Sequence, residues 1–435
     1  MNKNCLLLLI ALLPFVGFAQ TTISGKIIDQ VSNEPLSFAS IAVQNSSTGT
    51  MSNDVGDFEL NLKEGQTKIQ ISYIGYIDTL IVIDPEIAEY QISLKPYEYE
   101  LAEVIVRPYT ALEYIKEALK KYPTLIPDAP FESRAFFAAK SSVANDNNDG
   151  YKLTESVFKT YNADFGNDTL KENSQLLLFR EDEKKGFTSI IEENKRIKRM
   201  TKRAKKRSDK TEEEKTEEEK EAELADGESE DEDGVDIDIN DLTGSGPEVT
   251  IKESKSITTL DFFNSEYFKK FKYTFGEQTY YQGRELIKID FTNKRKVESA
   301  FFNGSIYLDY VDLAIVAVDY NERFKIPFYI NVLLKTIIGI TIDNVDRDVR
   351  IRNQFLHDKW YPKEVIFDID ITIKQKKLYE EFSIAQILNI DEIIIDNPTP
   401  IAEEFIFDKE VESVEQVFPE DGVIWEKVNV VKFDN

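Results

Sequence analysis

One cysteine and one histidine are all the chain holds for thiolate or imidazole chemistry. Cys5 precedes the apolar core of an apparent export leader, so the exported chain is expected to have no disulfide, no thiolate nucleophile and no cysteine-ligated metal. It also cannot be the lipid-modified cysteine that follows such a core, so no lipid anchor is expected. His357 sits in FLHDKWYP, where a strand pattern gives way to a polar turn. It reads as a solvent-facing turn residue: a zinc site would need ligands from elsewhere, and a catalytic triad would need a partnered serine and carboxylate. Carboxylates are the remaining chemistry. A glycosidase needs only two of them, but with 80 Asp and Glu the sequence nominates no pair. A close pair in a pocket with one raised pKa would be the telling sign. The run from Val235 to Asp241 alternates apolar and acidic residues and offers oxygen ligands. It lacks the twelve-residue loop with central Gly and terminal Glu that calcium sites of this kind use. Asn53, Asp54 and Gly56 read as hairpin chemistry, because Asn and Asp bond their own backbone and Gly accepts positive φ. No catalytic, metal or cofactor-binding residue is assigned, ligand-binding residues are unknown, and no enzymatic activity is expected.

The elements that would position any site begin after residues 1–19. These have a basic Lys3, an apolar stretch from Leu6 to Phe18 and a small Ala19, the pattern of a signal peptide. The stretch is too short to favour a membrane anchor, and no transmembrane segment is expected beyond it. A net charge of −27 repels phosphate backbones, which argues against nucleic acid as a partner. The length has room for two or three domains.

Residues 21–95 show period-two alternation at Ile23, Gly25, Ile27 and again at Phe38, Ser40, Ala42, punctuated by Gly49, Gly56 and Gly65. Short strands at this spacing indicate a β-sandwich. The phrases ISGKIIDQ, PLSFASIAV, GTMSNDVGDFELNL and IQISYIGY resemble the carboxypeptidase-D regulatory-like domain. The residues that carry the likeness include Gly25, Asp29, Pro35, Leu36, Ala39, Gly49, Thr50, Asp54, Gly56, Phe58, Ile71, Ser72, Tyr73, Gly75 and Tyr76. The resemblance implies a transthyretin-like or Ig-like sandwich, noncatalytic in metallocarboxypeptidases and found as an N-terminal extension of outer-membrane receptors in Gram-negative bacteria. It implies no peptidase, since the zinc-binding histidines of those enzymes belong to another domain.

Residues 96–108, with ELAEVIV, read as a linker or extra strand. Thr110 and Glu113 then form a capping-box pair for a helix whose Leu112, Ile115, Ala118, Leu119 and Tyr122 share one face, with Pro123 expected to end it. Strand-like runs fill the remainder of 109–192. Residues 193–248 carry a basic block and then an acidic one without aromatics, a composition expected to stay disordered. In 249–395 the alternation of Ile287, Ile289 and Phe291 against Lys288 and Asp290 opens a series of meander strands. Val365, Phe367, Ile369, Ile371 and Ile373 lie opposite Asp368 and Asp370, which predicts a half-buried antiparallel sheet. IPFYINVLLKTIIGITI predicts a buried helix between Pro327 and Gly339 that closes the core. Residues 396–435 read as a C-terminal tail.

GRELIKIDF, FNGSIYLDYVDLAIVAVDY and DKWYPKEV resemble the domain of unknown function that follows such sandwiches in outer-membrane-associated proteins. Their order is similar also to the half-barrel sheets of lipoprotein carriers. The expected architecture is therefore mainly β: a sandwich, then an α+β antiparallel-sheet domain, half-barrel-like, with a charged insertion. The leading functional expectation is an exported, noncatalytic binding or scaffolding protein of the cell envelope, in the periplasm or at the outer membrane, with an envelope protein, glycan or lipid as partner. A lipid or glycan carrier and a carboxylate-based hydrolase are the alternatives.

Overall fold

The computed structural model describes residues 21–84, 86–87, 89–98, 108–144, 150–166, 173–184, 257–297, 300–326, 328–337, 339–375, 378–408, 413–420 and 422–433. The signal peptide at 1–19, most of the 96–108 connector and the charged insertion at 193–248 lie outside them.

Seven short strands come first: β1 (Thr21–Asp29), β2 (Ser40–Val43), β3 (Gly49–Met51), β4 (Asp57–Leu62), β5 (Lys68–Ser72), β6 (Thr79–Val82) and β7 (Glu89–Leu94). They form two sheets, ordered β4-β1-β7 and β3-β2-β5-β6. Alternate side chains of each strand point inward, so Ile27, Leu60, Ile71 and Ile92 meet in one apolar core. The turn before β4 follows the hairpin reading: Asn53 Oδ1 accepts from the backbone N–H of Val55 (3.2 Å) and Asp57 (2.8 Å), and Gly56 has φ +82°.

Next comes helix α1 (Ala111–Leu125), followed by β8 (Phe131–Ala144), β9 (Tyr151–Asn162) and β10 (Asn173–Glu183). Beyond the charged stretch lie β11 (Phe271–Phe275), β12 (Thr279–Tyr281), β13 (Arg284–Asn293), β14 (Ala300–Asp309) and β15 (Ile315–Phe324). Helix α2 (Phe328–Ile337), β16 (Thr341–Leu356), β17 (Lys359–Gln375) and β18 (Leu378–Ile394) complete the set. All eleven strands belong to one sheet, ordered β10-β9-β8-β18-β17-β16-β15-β14-β13-β11, with β12 on β13. Because β18 pairs antiparallel with β8, the strands on either side of the charged stretch share that sheet. The sheet is open, with β10 and β11 at its ends.

The capping box of α1 forms, with Thr110 N–H donating to Glu113 Oε2 (2.7 Å) and Glu113 N–H to Thr110 Oγ1 (3.3 Å). Pro123, expected to end this helix, lies inside it. So near the C-terminus its missing N–H forfeits a single bond, and Ile126 N–H still reaches Tyr122 O at 3.2 Å. The apolar face of α1, with Ile115 and Ala118, packs on one face of the large sheet beside Phe262, Phe291 and Phe367.

The other face of that sheet is covered too. Met51 of the sandwich and Val428 and Val431 of the C-terminal segment pack on Phe136, Ile366 and Ile387. The expectation of a half-buried sheet is therefore corrected in its centre: β17 is buried without interruption from Trp360 to Phe367, and alternation resumes only at Asp368. Two covered faces remove the period-two signature.

Helix α2 departs further from expectation. Leu334 is fully buried, but Phe328 and Tyr329 are 84% and 73% exposed, so the helix is not the buried core element its composition suggests. The side of α2 toward the sheet carries Asn331 instead, whose side-chain amide bonds both the C=O and the N–H of Ile342 at 2.8 Å.

Candidate functional site

Where the sandwich meets the large sheet, charge is buried. The residues responsible sit at two β-bulges, where one strand carries an extra residue that its neighbour does not match. On β17, Arg352 pairs with Glu364 and Asn353 with Pro362, which leaves Lys363 over. On β18, Ile390 pairs with Ala135 and Glu392 with Arg134, which leaves Asp391 over. The two bulges lie on adjacent strands. Lys363, 1% exposed, points its Nζ at Ile390 O (2.8 Å) and interacts electrostatically with Asp391 and Glu364.

Burial disfavours each charge. It lowers the Lys363 pKa, opposed by the two carboxylates, and raises that of Glu364, opposed by Arg352 and Lys363. Asp391 is pushed up to about 7 by burial, with Lys363 pulling the other way. Glu364 Oε2 and Asp391 Oδ1 are buried without a hydrogen-bond partner among the described residues.

The sandwich is fitted to this cluster. A Cβ on Gly49 would lie 2.5 Å from Ile41 O and 3.3 Å from Lys363 Nζ, so β3 reaches the lysine only because position 49 has no side chain. Asn389 Nδ2 donates to Gly49 O (3.5 Å), and Ser47 Oγ accepts from Ile393 N–H (2.9 Å). A chain of ion pairs continues outward, from Lys63 to Glu392 (2.5 Å), Glu392 to Arg134 (2.9 Å), and Glu420 to Lys159 (2.9 Å) and Arg134 (3.5 Å). The C-terminal segment closes the seam, since Asn429 Oδ1 accepts from Asn61 N–H at 2.8 Å. At the far side, Tyr97 stacks on Tyr280 (5.4 Å, 18°), and Gly75 N–H donates to Tyr280 O at 3.0 Å.

Two cavities flank the seam. One of about 350 Å³ is lined by Asn61, Lys63, Arg134, Asp391, Glu392 and Asn429. The other, about 230 Å³, is lined by Phe38, Tyr281, Tyr307, Asp319, Arg352 and Glu364. The second holds a carboxylate pair with one raised pKa, the sign named above for a hydrolase. Its geometry is that of a compensated charge cluster, however. Arg352 Nη1 bonds Asp319 Oδ1 (2.5 Å), and this pairing keeps the guanidinium pKa above its ordinary value despite burial. The cavity is also below the roughly 300–1,000 Å³ of ordinary ligand sites.

The residues first considered for chemistry lie elsewhere. His357 and Asp358 form the β16–β17 turn with φ of +48° and +63°, the type I′ geometry of a two-residue hairpin, and both are exposed. Asn53 and Gly56 shape a sandwich turn, and Val235–Asp241 lies outside the described residues. Sequence reasoning missed Lys363 and Asp391. Pro362, inside an otherwise strand-like run, was the available signal, because proline within a sheet is confined to edges and bulges.

The exposed edge of the sandwich is the second feature of interest. In the sheet β3-β2-β5-β6, β3 faces β18, while β6 pairs with β5 alone among the described residues. Its outward residues Leu80 and Val82 are 48% and 64% exposed.

The two-sheet core and its turn chemistry define a β-sandwich module. Residues 23–106 match the family model described as CarboxypepD_reg-like domain, in agreement with the resemblance read from the sequence. Residues carrying that likeness have structural tasks: Asp29 accepts from Tyr76 OH at 2.5 Å and caps the Val31–Ser32 turn, and Leu36, Phe58 and Ile71 fill the core. No curated protein matches the chain. Among solved structures, a DUF1329 family protein from Desulfovibrio piger aligns over 65% of this chain and 93% of its own, with 7% identity and a TM-score of 0.19, too low to establish a common fold. Among the described residues no helix is long and apolar enough to cross a membrane.

Proposed function

We propose that this is an exported, noncatalytic protein of the cell envelope, associated with the outer membrane, whose sandwich serves as a fixed docking module. The observation that carries this reading is the asymmetry of the sandwich. Its β3 edge is sealed against the large sheet, while β6, among the described residues, pairs with β5 alone and has Leu80 and Val82 facing out. Such an edge can accept an extended strand from a partner, with backbone bonds supplying affinity and alternate side chains specificity. The seam holds the sandwich in one pose, which reduces the entropy lost when a partner binds. The test is capture of partners from envelope extracts with the wild-type chain and with L80K/V82K. A partner retained by the first and lost with the second supports the reading; identical captures overturn it.

A second reading, a hydrolase using Glu364 and Asp319, draws support from the raised Glu364 pKa alone. The carrier reading finds less support, because Phe262 and Phe291 stack at 4.2 Å within the covering of the sheet face that a ligand would have to occupy.

A further inference from the structure

Helix α2 turns Asn331 and Leu334 toward the sheet and leaves four large apolar residues outside. Asn331 is clamped to Ile342, Leu334 is buried, and Phe328, Tyr329, Val332 and Leu333 face away, each between 44% and 84% exposed. A helix buried in the chain's own core would not leave these four exposed.

The surroundings are as unusual as the helix. Strand register brings the end of β15, the start of β16, the start of β11 and the end of β13 to one rim of the sheet, as the pairs Phe324↔Val345, Thr341↔Lys374 and Phe271↔Asn293 show. Three segments at this rim, 268–276, 291–297 and 323–340, each hold three Lys or Arg and no Asp or Glu. The start of β16 adds Asp343 and Asp346 to the same rim, bonded to Lys374 and Arg323; beyond these two pairs the basic residues of the three segments still outnumber the acidic ones, against the balance of a chain with 80 acidic and 53 basic residues. Aromatic rings share the rim: Tyr379 is 66% exposed with Lys374 Nζ 5.0 Å from its centroid, and Phe301 is 44% exposed with Lys296 Nζ at 5.6 Å.

We propose that this rim docks on a bilayer surface carrying anionic headgroups, with the outer face of α2 inserted at the boundary between headgroups and acyl chains. Apolar residues flanked by lysines and aromatics are the composition that binds such an interface, and each lysine near an anionic surface adds attraction. The ten residues of α2 are too short to be a stable helix alone in water. Here Asn331 and Leu334 fix the helix to the fold, so the membrane receives a preformed face. The inference deepens the envelope reading and rests on it for its cellular setting, but it concerns a surface remote from β6.

The test is flotation of residues 20–435 with phosphatidylcholine vesicles, with and without about one third phosphatidylglycerol. Binding is expected to the anionic vesicles and to weaken at high salt. F328S/L333S is expected to bind at least about tenfold more weakly, and K325Q about fivefold more weakly, with unchanged melting because these positions are exposed. L80K/V82K is expected to float like wild type, so failure of the β6 reading leaves this result standing. No flotation, or flotation indifferent to the α2 substitutions, overturns the proposal. So does a dimer in sedimentation that F328S/L333S dissolves, because a second copy would then cover the face.

Discussion

The two faces of the large sheet are buried by opposite means. Under α1 the covering is apolar and aromatic, with the Phe262 ring stacked on Phe291 and edge-on to Tyr320. Under the sandwich it is ionic at its centre, with Lys363, Glu364 and Asp391 removed from water together. The first arrangement gains from every apolar atom it hides. The second costs desolvation that the ion pairs only partly offset, but it tolerates few alternative poses, because a shifted sandwich would leave charges unmatched. The comparison teaches that the apolar face supplies stability and the ionic face supplies a specific domain arrangement.

The largest effect should come from the apolar face. Phe262→Ala is expected to cost about 3–5 kcal/mol in urea unfolding. A small loss there would mean that the ring is not the keystone of that layer. On the ionic face, Lys363→Met should cost about 3 kcal/mol, since Glu364 and Asp391 lose their buried cation. The double variant Lys363→Met/Asp391→Leu should recover most of that loss, and failure to recover would show that the lysine acts through packing rather than charge.

Asp391 gives the comparison a pH axis. In the folded chain it titrates near 7, and unfolded it returns to about 3.9. Between those values the folded state holds a proton that the unfolded state releases, so this contribution to stability is full below about pH 4 and is lost as pH rises through 7. The stability of wild type relative to Asp391→Asn should therefore fall between pH 5 and pH 8; a difference that stays flat or rises would refute the assignment. Smaller again, Tyr280→Ala should cost about 1 kcal/mol by removing the stack on Tyr97. The exposed Lys432–Glu59 pair should matter least, with Lys432→Ala within about 1 kcal/mol of wild type in the same urea series.

Legibility followed the range of the interactions. The sandwich strands could be read because buried Gly25 and Ile27, Phe58 and Leu60, and Ile69 and Ile71 alternate with the half-buried polar residues Lys26, Glu59 and Gln70, and the start of α1 because Thr110 and Glu113 are three residues apart. The seam could not be read in this way. Lys363 and Asp391 are 28 positions apart, and only the pairing of β17 with β18 brings their bulges together. The rim was hidden for a similar reason: sheet order brings residues 268–276 and 323–340 to the same edge of the strands, with β13 and β14 between them.

By itself the sequence determined the strand-forming character of the chain, its turns, the cap of α1 and the sandwich domain, because each depends on residues within a few positions of one another. Tertiary structure alone decided that both faces of the large sheet are covered, that two bulge residues form a buried ion cluster, and that α2 turns Phe328 and Tyr329 outward. Periodicity states which side chains share a face. What covers that face is settled by contacts between segments hundreds of residues apart, as Asn61 with Asn429 shows, and those contacts leave no local trace.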